Sequence, residues 1–457
     1  MAQAQKHPGG ADRPPSHLFY QGRQRRPLID RAEGLYIWDV HGRCYLDGSS
    51  GAMVSNIGHA NPRVLAAMQA QMARATFAYR LHFENAPAEE LAATVAHRLP
   101  GDLDRVFFVS GGSEAVESAL KLARQWALAT DRGHRWKVIA RRPSYHGSTL
   151  GALAVTGYEP LNAPFRPMMR EMPTIPAPTA YLDRDALSME ERGRRYADLL
   201  ADEIERQGPD SVLAFIMEPV GGASTGALVA PDSYYARVAE ICRHYGVLLI
   251  YDEVMSGAGR TGAFVAAEHW QVTPDIMVLS KGFAAGYAPL GAMAAPGRLV
   301  EPVLDAGGFL HGYTYAGNPL ACAAGLAVLE EIDRQDLIAN ADARGASLMQ
   351  RLHGLKDRFP FVGDVRGKGL LTAIELIADR ATMEVLPPAL NAHARVVELA
   401  FERGLIVYSR RTRGGLEGDH IMVCPPMIVT EEQLDELVGM LAAALAAFAL
   451  EAGLPGG

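Results

Sequence analysis

Two short apolar runs constrain this chain more than anything else in it. Residues 247–254 read Val-Leu-Leu-Ile-Tyr-Asp-Glu-Val, and residues 276–282 read Ile-Met-Val-Leu-Ser-Lys-Gly. Each is apolar, rich in β-branched side chains, and stops abruptly at polar groups. That is the pattern of a strand buried in a parallel sheet that delivers polar side chains at its carboxyl end. The first run delivers a carboxylate, Asp252, and the second an amine, Lys281. The interval, 281 − 252 = 29, leaves room for one crossover between neighbouring strands.

The rest of the chain extends this pattern. Residues 35–48 read as a hairpin turning at His41-Gly42, and Asn61-Pro62 as the cap and first residue of a helix running to about residue 74. Helices are expected at 88–99, from Ser113 to about 129, at 189–207 and at 232–245, and strands at 105–109, 137–140 and 212–217. Strand, polar loop and helix in repetition predict an α/β fold with a mainly parallel sheet. Residues 157–185 lack periodicity and read as a long excursion. After about residue 318 the pattern changes to long helices at 319–334 and from 338 to about 355. Strand-like pieces follow at 361–366, 370–376 and 405–408, with a last helix from the capping box at Thr430. Residues 1–59 and 319–457 are therefore expected to form a smaller α+β domain beside a large domain over 60–318.

A net charge of −8 argues against nucleic acid as the main partner. Four scattered cysteines form no CxxC pair and read as reduced thiols in a cytoplasmic protein, with no metal site expected. Residues 1 to about 16 read as a loose polar tail without a signal-peptide apolar region, and Arg23–Arg26 as a solvated turn. The late apolar run 438–450 spans about 13 residues against the roughly 20 that cross a membrane, so it reads as a packed helix.

An isolated ammonium in low dielectric costs several kcal/mol unless it is paired or neutralised. Condensation of Lys281 with an aldehyde removes the problem and makes the lysine chemically useful. Pyridoxal 5'-phosphate (PLP) is such an aldehyde, and it needs an acid beside its pyridinium nitrogen, which suits Asp252. Strand alternation sends Glu253 to the opposite face and returns Val254 to the face of Asp252, under the ring. Gly111, Gly112 and Ser113 sit between a strand and a helix start, where backbone N–H groups favour an anion. Taken alone this is equally a tight turn with Ser113 as N-cap. Tyr145, before His146-Gly147, could stack on a flat ring. Glu218 ends a strand and could orient a ligand or form a salt bridge. Residues 257–262 alone read as a flexible loop, and Thr314 could donate to a phosphate or simply to its own turn.

At these residues the chain resembles the class III, PLP-dependent aminotransferases of fold type I. The most specific pieces are Ser110-Gly111-Gly112-Ser113-Glu114-Ala115, Tyr145-His146-Gly147, Glu218-Pro219-Val220, Asp252-Glu253-Val254 with Gly259-Arg260-Thr261-Gly262, Ser280-Lys281-Gly282, and Thr314-Tyr315 followed by Asn318-Pro319. The resemblance implies that Lys281 carries the cofactor and moves the proton, and that Asp252 pairs with the pyridinium nitrogen. It implies that Tyr145 stacks on the ring, that Gly112 and Ser113 bind phosphate, and that Glu218 lies near substrate and cofactor. It further implies that Thr314 reaches the phosphate of a neighbouring subunit, so at least a homodimer is expected. His146, Gly111 and Val254 complete the expected cofactor contacts. Many amine–pyruvate members carry an aromatic where this chain has Met53, at the edge of the substrate pocket, so the pocket here is expected to be differently shaped. The family's commonest wording after the aspartate–glutamate pair is Gln-Thr-Gly-Phe, and this chain has Met255-Ser256-Gly257-Ala258. Several members hold the acceptor's carboxylate with a mobile arginine. Here the loop from Ser409 to His420 offers Arg410, Arg411 and Arg413, with Arg413 favoured and Arg411 next. The expected activity is that of an ω-aminotransferase passing an amino group from an amine to a keto acid, pyruvate, by a ping-pong route. An aminomutase or a decarboxylating transaminase on the same scaffold is the alternative, and a non-catalytic α/β binding protein a remote one. A nicotinamide oxidoreductase is disfavoured because no GxGxxG fingerprint is present.

Overall fold

The computed structural model describes residues 16–456, so nearly all of the N-terminal tail lies outside the described residues. A seven-stranded sheet forms the centre, in the order Arg105–Val109, Gly291–Ala295, Ile276–Leu279, Leu248–Asp252, Val212–Met217, Lys137–Arg142 and Thr174–Pro176. Within it, Gly291–Ala295 runs antiparallel to both its neighbours and the other six strands share one direction.

The uninterrupted apolar runs have a simple cause. Leu249 and Tyr251 join the core on one side of the sheet, while Leu248 and Ile250 join the core on the other. Phe215 and Met217 divide from Ala214 and Ile216 in the same way. A sheet covered on both faces leaves no position for a polar residue until the strand ends. Helices Met189–Gln207 and Asp232–Tyr245 cover one face, and Gly112–Ala129 with Gly297–Asp305 the other. All the parallel strands therefore release their polar termini along a single edge.

Two smaller sheets flank this unit. Ile29–Glu33, Tyr36–Asp39 and Cys44–Asp47 form a meander that Leu405–Ile406 joins in parallel, bringing the two ends of the chain together. Val362–Lys368, Leu371–Asp379, Glu417–Val423 and Tyr408–Arg413 form an antiparallel sheet, with Glu384–Val385 beside the second strand. The last helix, Glu431–Ala452, keeps its capping box: Thr430 Oγ1 accepts from Gln433 N–H at 3.3 Å, and Gln433 Oε1 accepts from Thr430 N–H at 3.0 Å. Among the described residues it is the helix long and apolar enough to cross a membrane, but Leu434, Leu437, Leu441, Leu445 and Phe448 are all buried in the protein core.

Several expectations need correction. The segment from Ser409 to His420 is a β-hairpin, so its arginines lie on strand Tyr408–Arg413 and not on a loop. Residues 257–261 are buried and packed, not a flexible loop. Ser113 is no cap: the helix starts at Gly112, flanked by Gly111. The helix expected at 88–99 runs Ala86–Ala96, because Asn85 caps it by accepting from Ala88 N–H at 3.1 Å. The excursion over 157–185 includes the edge strand Thr174–Pro176. Arg26 is not simply solvated but pairs with Glu398, Nη1 to Oε2 at 2.9 Å. Cys242, Cys322 and Cys424 are buried free thiols, and Cys44 is exposed.

Candidate active site

Strands Leu248–Asp252 and Ile276–Leu279 lie side by side, with Asp252 opposite Val278. Glu253 N–H donates to the Val278 carbonyl at 3.0 Å, holding the two ends in register. Three residues beyond Val278 the chain turns at Lys281, whose φ is +49°. A lysine takes that left-handed conformation only where its surroundings impose it. Gly282 follows because nothing larger fits: a Cβ there would lie 2.1 Å from Asn56 Nδ2.

Asp252 is buried, and both its oxygens are occupied. Oδ2 lies 2.7 Å from His146 Nδ1, and Oδ1 accepts from Val254 N–H at 3.1 Å. Facing a carboxylate, Nδ1 carries the ring proton. His146 Nε2 is buried without a partner among the described residues. Thr156 Oγ1 accepts from His146 N–H at 2.9 Å and fixes the loop. Glu253 faces the other way, as strand alternation requires, and accepts from the N–H groups of Ala266 and Ala267 at 3.0 and 2.8 Å. Burial pushes its carboxyl up to about 7. Adjacent acids thus serve different ends: Asp252 opens on the strand edge, and Glu253 anchors the next turn.

Glu218 ends the neighbouring strand Val212–Met217. Its Oε1 accepts from Gly222 N–H at 2.9 Å, while Oε2 is buried without a partner among the described residues. Burial pushes its pKa up, Asp252 pushes the same way, and His146 and Arg141 pull it down.

Lys281 is half-buried and has no hydrogen-bond partner among the described residues. Burial holds its amine down to about 8, against the opposing pull of Asp252 and Glu218. Such a lysine is partly neutral, hence nucleophilic, near neutral pH. Covalent capture of PLP by the cofactor-free protein should therefore rise with pH through about 8. Stopped-flow absorbance reads this rate, and a midpoint near the ordinary lysine value would contradict the environment described. By linkage, the cofactor-free protein gains stability as pH rises from about 8 to 10.5, because there only the unfolded chain keeps the proton.

The glycine-rich segment lies between strand Arg105–Val109 and helix Gly112–Ala129. Space is open where a Gly111 side chain would stand. A Cβ on Gly112 would sit 3.1 and 3.2 Å from the methyl groups of Val254, so the helix start packs on the residue two beyond Asp252. Ser113 Oγ accepts from Ser148 N–H at 3.0 Å, and Tyr145 Oη lies 2.9 Å from Ser148 Oγ. Gly147 has φ +144°, and a Cβ there would meet Ser113 Oγ at 2.7 Å and Cα at 2.9 Å. Gly147→Ala should destabilise the loop by about 1–3 kcal/mol of backbone strain and displace Ser113. Fluorescence titration with PLP should register roughly a tenfold or greater loss of affinity, about 1.4 kcal/mol. Unchanged affinity would detach the 145–148 loop from the cradle.

The other expected residues have no hydrogen bond to this cluster among the described residues. Thr314 is exposed, beside exposed Leu310 and Tyr315. Met53 is buried among Val220, Met422 and Cys424. Arg411 donates to the carbonyls of Leu416 and Pro388 at 3.0 Å each, and Arg413 to that of Met383 at 2.6 Å. Neither has a hydrogen bond to the Lys281 cluster among the described residues.

Sequence reasoning gave no role to two buried arginines, Arg260, quoted only within the family motif, and Arg141. Arg260 crosses between segments: Nη2 donates to Ser50 Oγ at 3.0 Å and Asn56 Oδ1 at 2.5 Å, and Nη1 to the Pro425 carbonyl at 2.5 Å. Burial lowers its pKa to about 10. Arg141 lies under Glu218. Its signal was legible, since alternation along Lys137–Arg142 puts Arg141 on the same face as fully buried Ile139.

The profile of the aminotransferase class-III family matches residues 20–445. The chain belongs to the class-III aminotransferases. It is similar to the uncharacterized aminotransferase YodT of Bacillus subtilis, 39% identical over 426 residues, covering 92% of this chain and 95% of that one. It is similar also to the putrescine–pyruvate aminotransferase of Pseudomonas aeruginosa, 33% identical over 414 residues, covering 90% and 88%. A thermostable (S)-enantioselective ω-transaminase from Thermomicrobium roseum superposes with a TM-score of 0.89 at 37% identity, covering 95% of this chain and 96% of that one. The enzyme is thus a transaminase of the α/β PLP-dependent transferase fold, and the class to which it belongs is PLP-dependent. The residues of this aminotransferase fit that group. A lysine amine without a partner among the described residues, a buried carboxylate backed by an imidazole, and a helix start with open space at Gly111 lie along one strand edge.

Proposed function

We propose that this aminotransferase moves an amino group from an amine or ω-amino acid to a keto acid, pyruvate, in a ping-pong cycle. One observation carries the reading: among the described residues the amine of Lys281 has no hydrogen-bond partner, beside an aspartate that is already oriented by His146. When bound, PLP supplies an electron sink for the charge that develops at the donor carbon. Lys281 holds the cofactor and then takes and returns the proton at the donor carbon. Asp252 would face the ring nitrogen and favour its protonated form, and His146 holds Asp252 in place. Val254 and Tyr145 would hold the ring. Gly111, Gly112 and Ser113 receive the phosphate, and Glu218 borders the substrate. Arg413, or Arg411, binds the acceptor's carboxylate by releasing its backbone carbonyl, and Met53 shapes the pocket wall.

In this reading a second copy of the chain completes each site through Thr314, and the exposed apolar residues Phe77, Leu81, Leu310 and Tyr315 favour such a homodimer. Residues 60–318 form the cofactor-binding domain, and 1–59 with 319–457 the smaller one. The enzyme acts in the cytoplasm. Product analysis tests the function. Net transfer of nitrogen from an amine panel to added pyruvate supports it. Isomerisation without an acceptor would make the enzyme an aminomutase, and release of CO2 a decarboxylating transaminase.

A further inference from the structure

Arg141 is a buried charge that the reading above leaves unused. It is 2% exposed, and it is the penultimate residue of the strand that leads into the loop of Tyr145 and His146. Its guanidinium donates through Nη2 to the backbone carbonyl of Glu218 at 2.5 Å. Its Nε is buried without a partner among the described residues, and the hydroxyl of Tyr234 lies beside the guanidinium. No carboxylate forms a salt bridge with it among the described residues. Its own carbonyl accepts from Ser144 Oγ at 2.7 Å, and Ser144 Oγ in turn accepts from Gly157 N–H at 3.1 Å. One residue therefore grips the Glu218 turn through its side chain and the base of the His146 loop through its backbone.

We propose that Arg141 is a positioning residue for the acid pair of the active site, a fixed counter-charge that keeps Glu218 ionised and aimed at the strand edge whatever charge Lys281 carries. The groups facing Glu218 argue for it. His146 comes from the 143–149 loop, Asp252 from its strand, Gly222 N–H from its own turn, and Lys281 from the strand beyond. Two carboxylates share this interior. Lys281 must be neutral to take a proton from substrate and is charged afterwards, so its charge changes through the cycle, and the His146 imidazole is committed to Asp252. A guanidinium stays charged throughout, so Arg141 can balance Glu218 at every step.

This inference rests on Glu218 lying at the active site, and it is independent of the amine used. The test therefore reads full-length protein with and without added PLP, apart from turnover. Arg141→Met should leave Glu218 protonated at neutral pH. An infrared band of a protonated carboxyl should appear, vanish in Arg141→Met/Glu218→Gln, and be absent in Arg141→Lys. Adding Glu218→Gln should also restore most of the Tm that Arg141→Met loses, because it removes the unbalanced charge. In the loaded enzyme, Arg141→Met should move the acidic limb of the kcat pH profile upward by about one unit, a tenfold change in the ionised fraction, and Arg141→Lys should restore it. No carboxyl band in Arg141→Met, or one that survives Glu218→Gln, would overturn the proposal. If Arg141→Met does not fold, failure of the added Glu218→Gln to rescue it would do the same. Retention of these signatures in a protein that never transaminates would leave the inference standing and remove the proposed function instead.

Discussion

Lys281→Ala is expected to lose covalent attachment of PLP and to lower transamination by roughly four orders of magnitude, the upper range for removal of a proton-transfer group. The fold should survive, because the lysine makes no hydrogen bond that the structure depends on. A sharper expectation concerns stability. Holding the amine near 8 rather than 10.5 corresponds to an ammonium destabilised by roughly 3 kcal/mol at neutral pH. Lys281→Met keeps the aliphatic stem and removes that charge. The cofactor-free Met variant should therefore melt above the cofactor-free parent at pH 7, and the difference should shrink as pH rises past 8. A Met variant that melts well below the parent would mean that the ammonium is paired. Retained full transamination by the Ala variant would end its catalytic assignment.

Asp252→Asn should leave PLP attached to Lys281 yet lower kcat by about 100- to 1000-fold, the usual cost of removing one preorganised electrostatic partner of the transition state. Its charge also supports the protonated form of Lys281. In the variant, the midpoint for PLP capture should accordingly fall below 8, while an unaltered rate of turnover would remove Asp252 from the mechanism. His146 should be mobilised as well, since the carboxylate that fixes its proton on Nδ1 is gone. Loss of that proton's low-field resonance in the cofactor-free protein checks the pairing directly.

The legible part of this molecule was the part whose sequence pattern has one physical cause. Strands such as Leu248–Asp252 are buried on both faces, and only a doubly covered sheet tolerates that composition. Helix starts at Pro62 and Glu431 were legible because Asn61 and Thr430 cap them with their own side chains. Asp252 and Lys281 stood out because each interrupts an apolar run. Less legible were groups whose partners are distant in sequence. His146 meets Asp252 across 106 residues, and Arg260 meets Asn56 across 204. A glycine-rich segment around a buried arginine looks flexible until Ser50, Asn56 and Pro425 close on it. The hairpin Tyr408–Val423 hid behind arginines and glycines, because Glu417–Val423 also pairs with Leu371–Asp379, each partner more than 40 residues earlier. Arg413 and Arg411 now hold backbone carbonyls, so a role in binding carboxylate requires them to let go.

The most direct measurement is the visible spectrum of the purified enzyme loaded with PLP, recorded before and after an amine donor is added without an acceptor. The band of the lysine-bound cofactor should disappear with a donor and return when pyruvate is supplied, one half-reaction at a time. Absence of any such band from protein saturated with PLP, with Lys281 intact, would contradict the central claim.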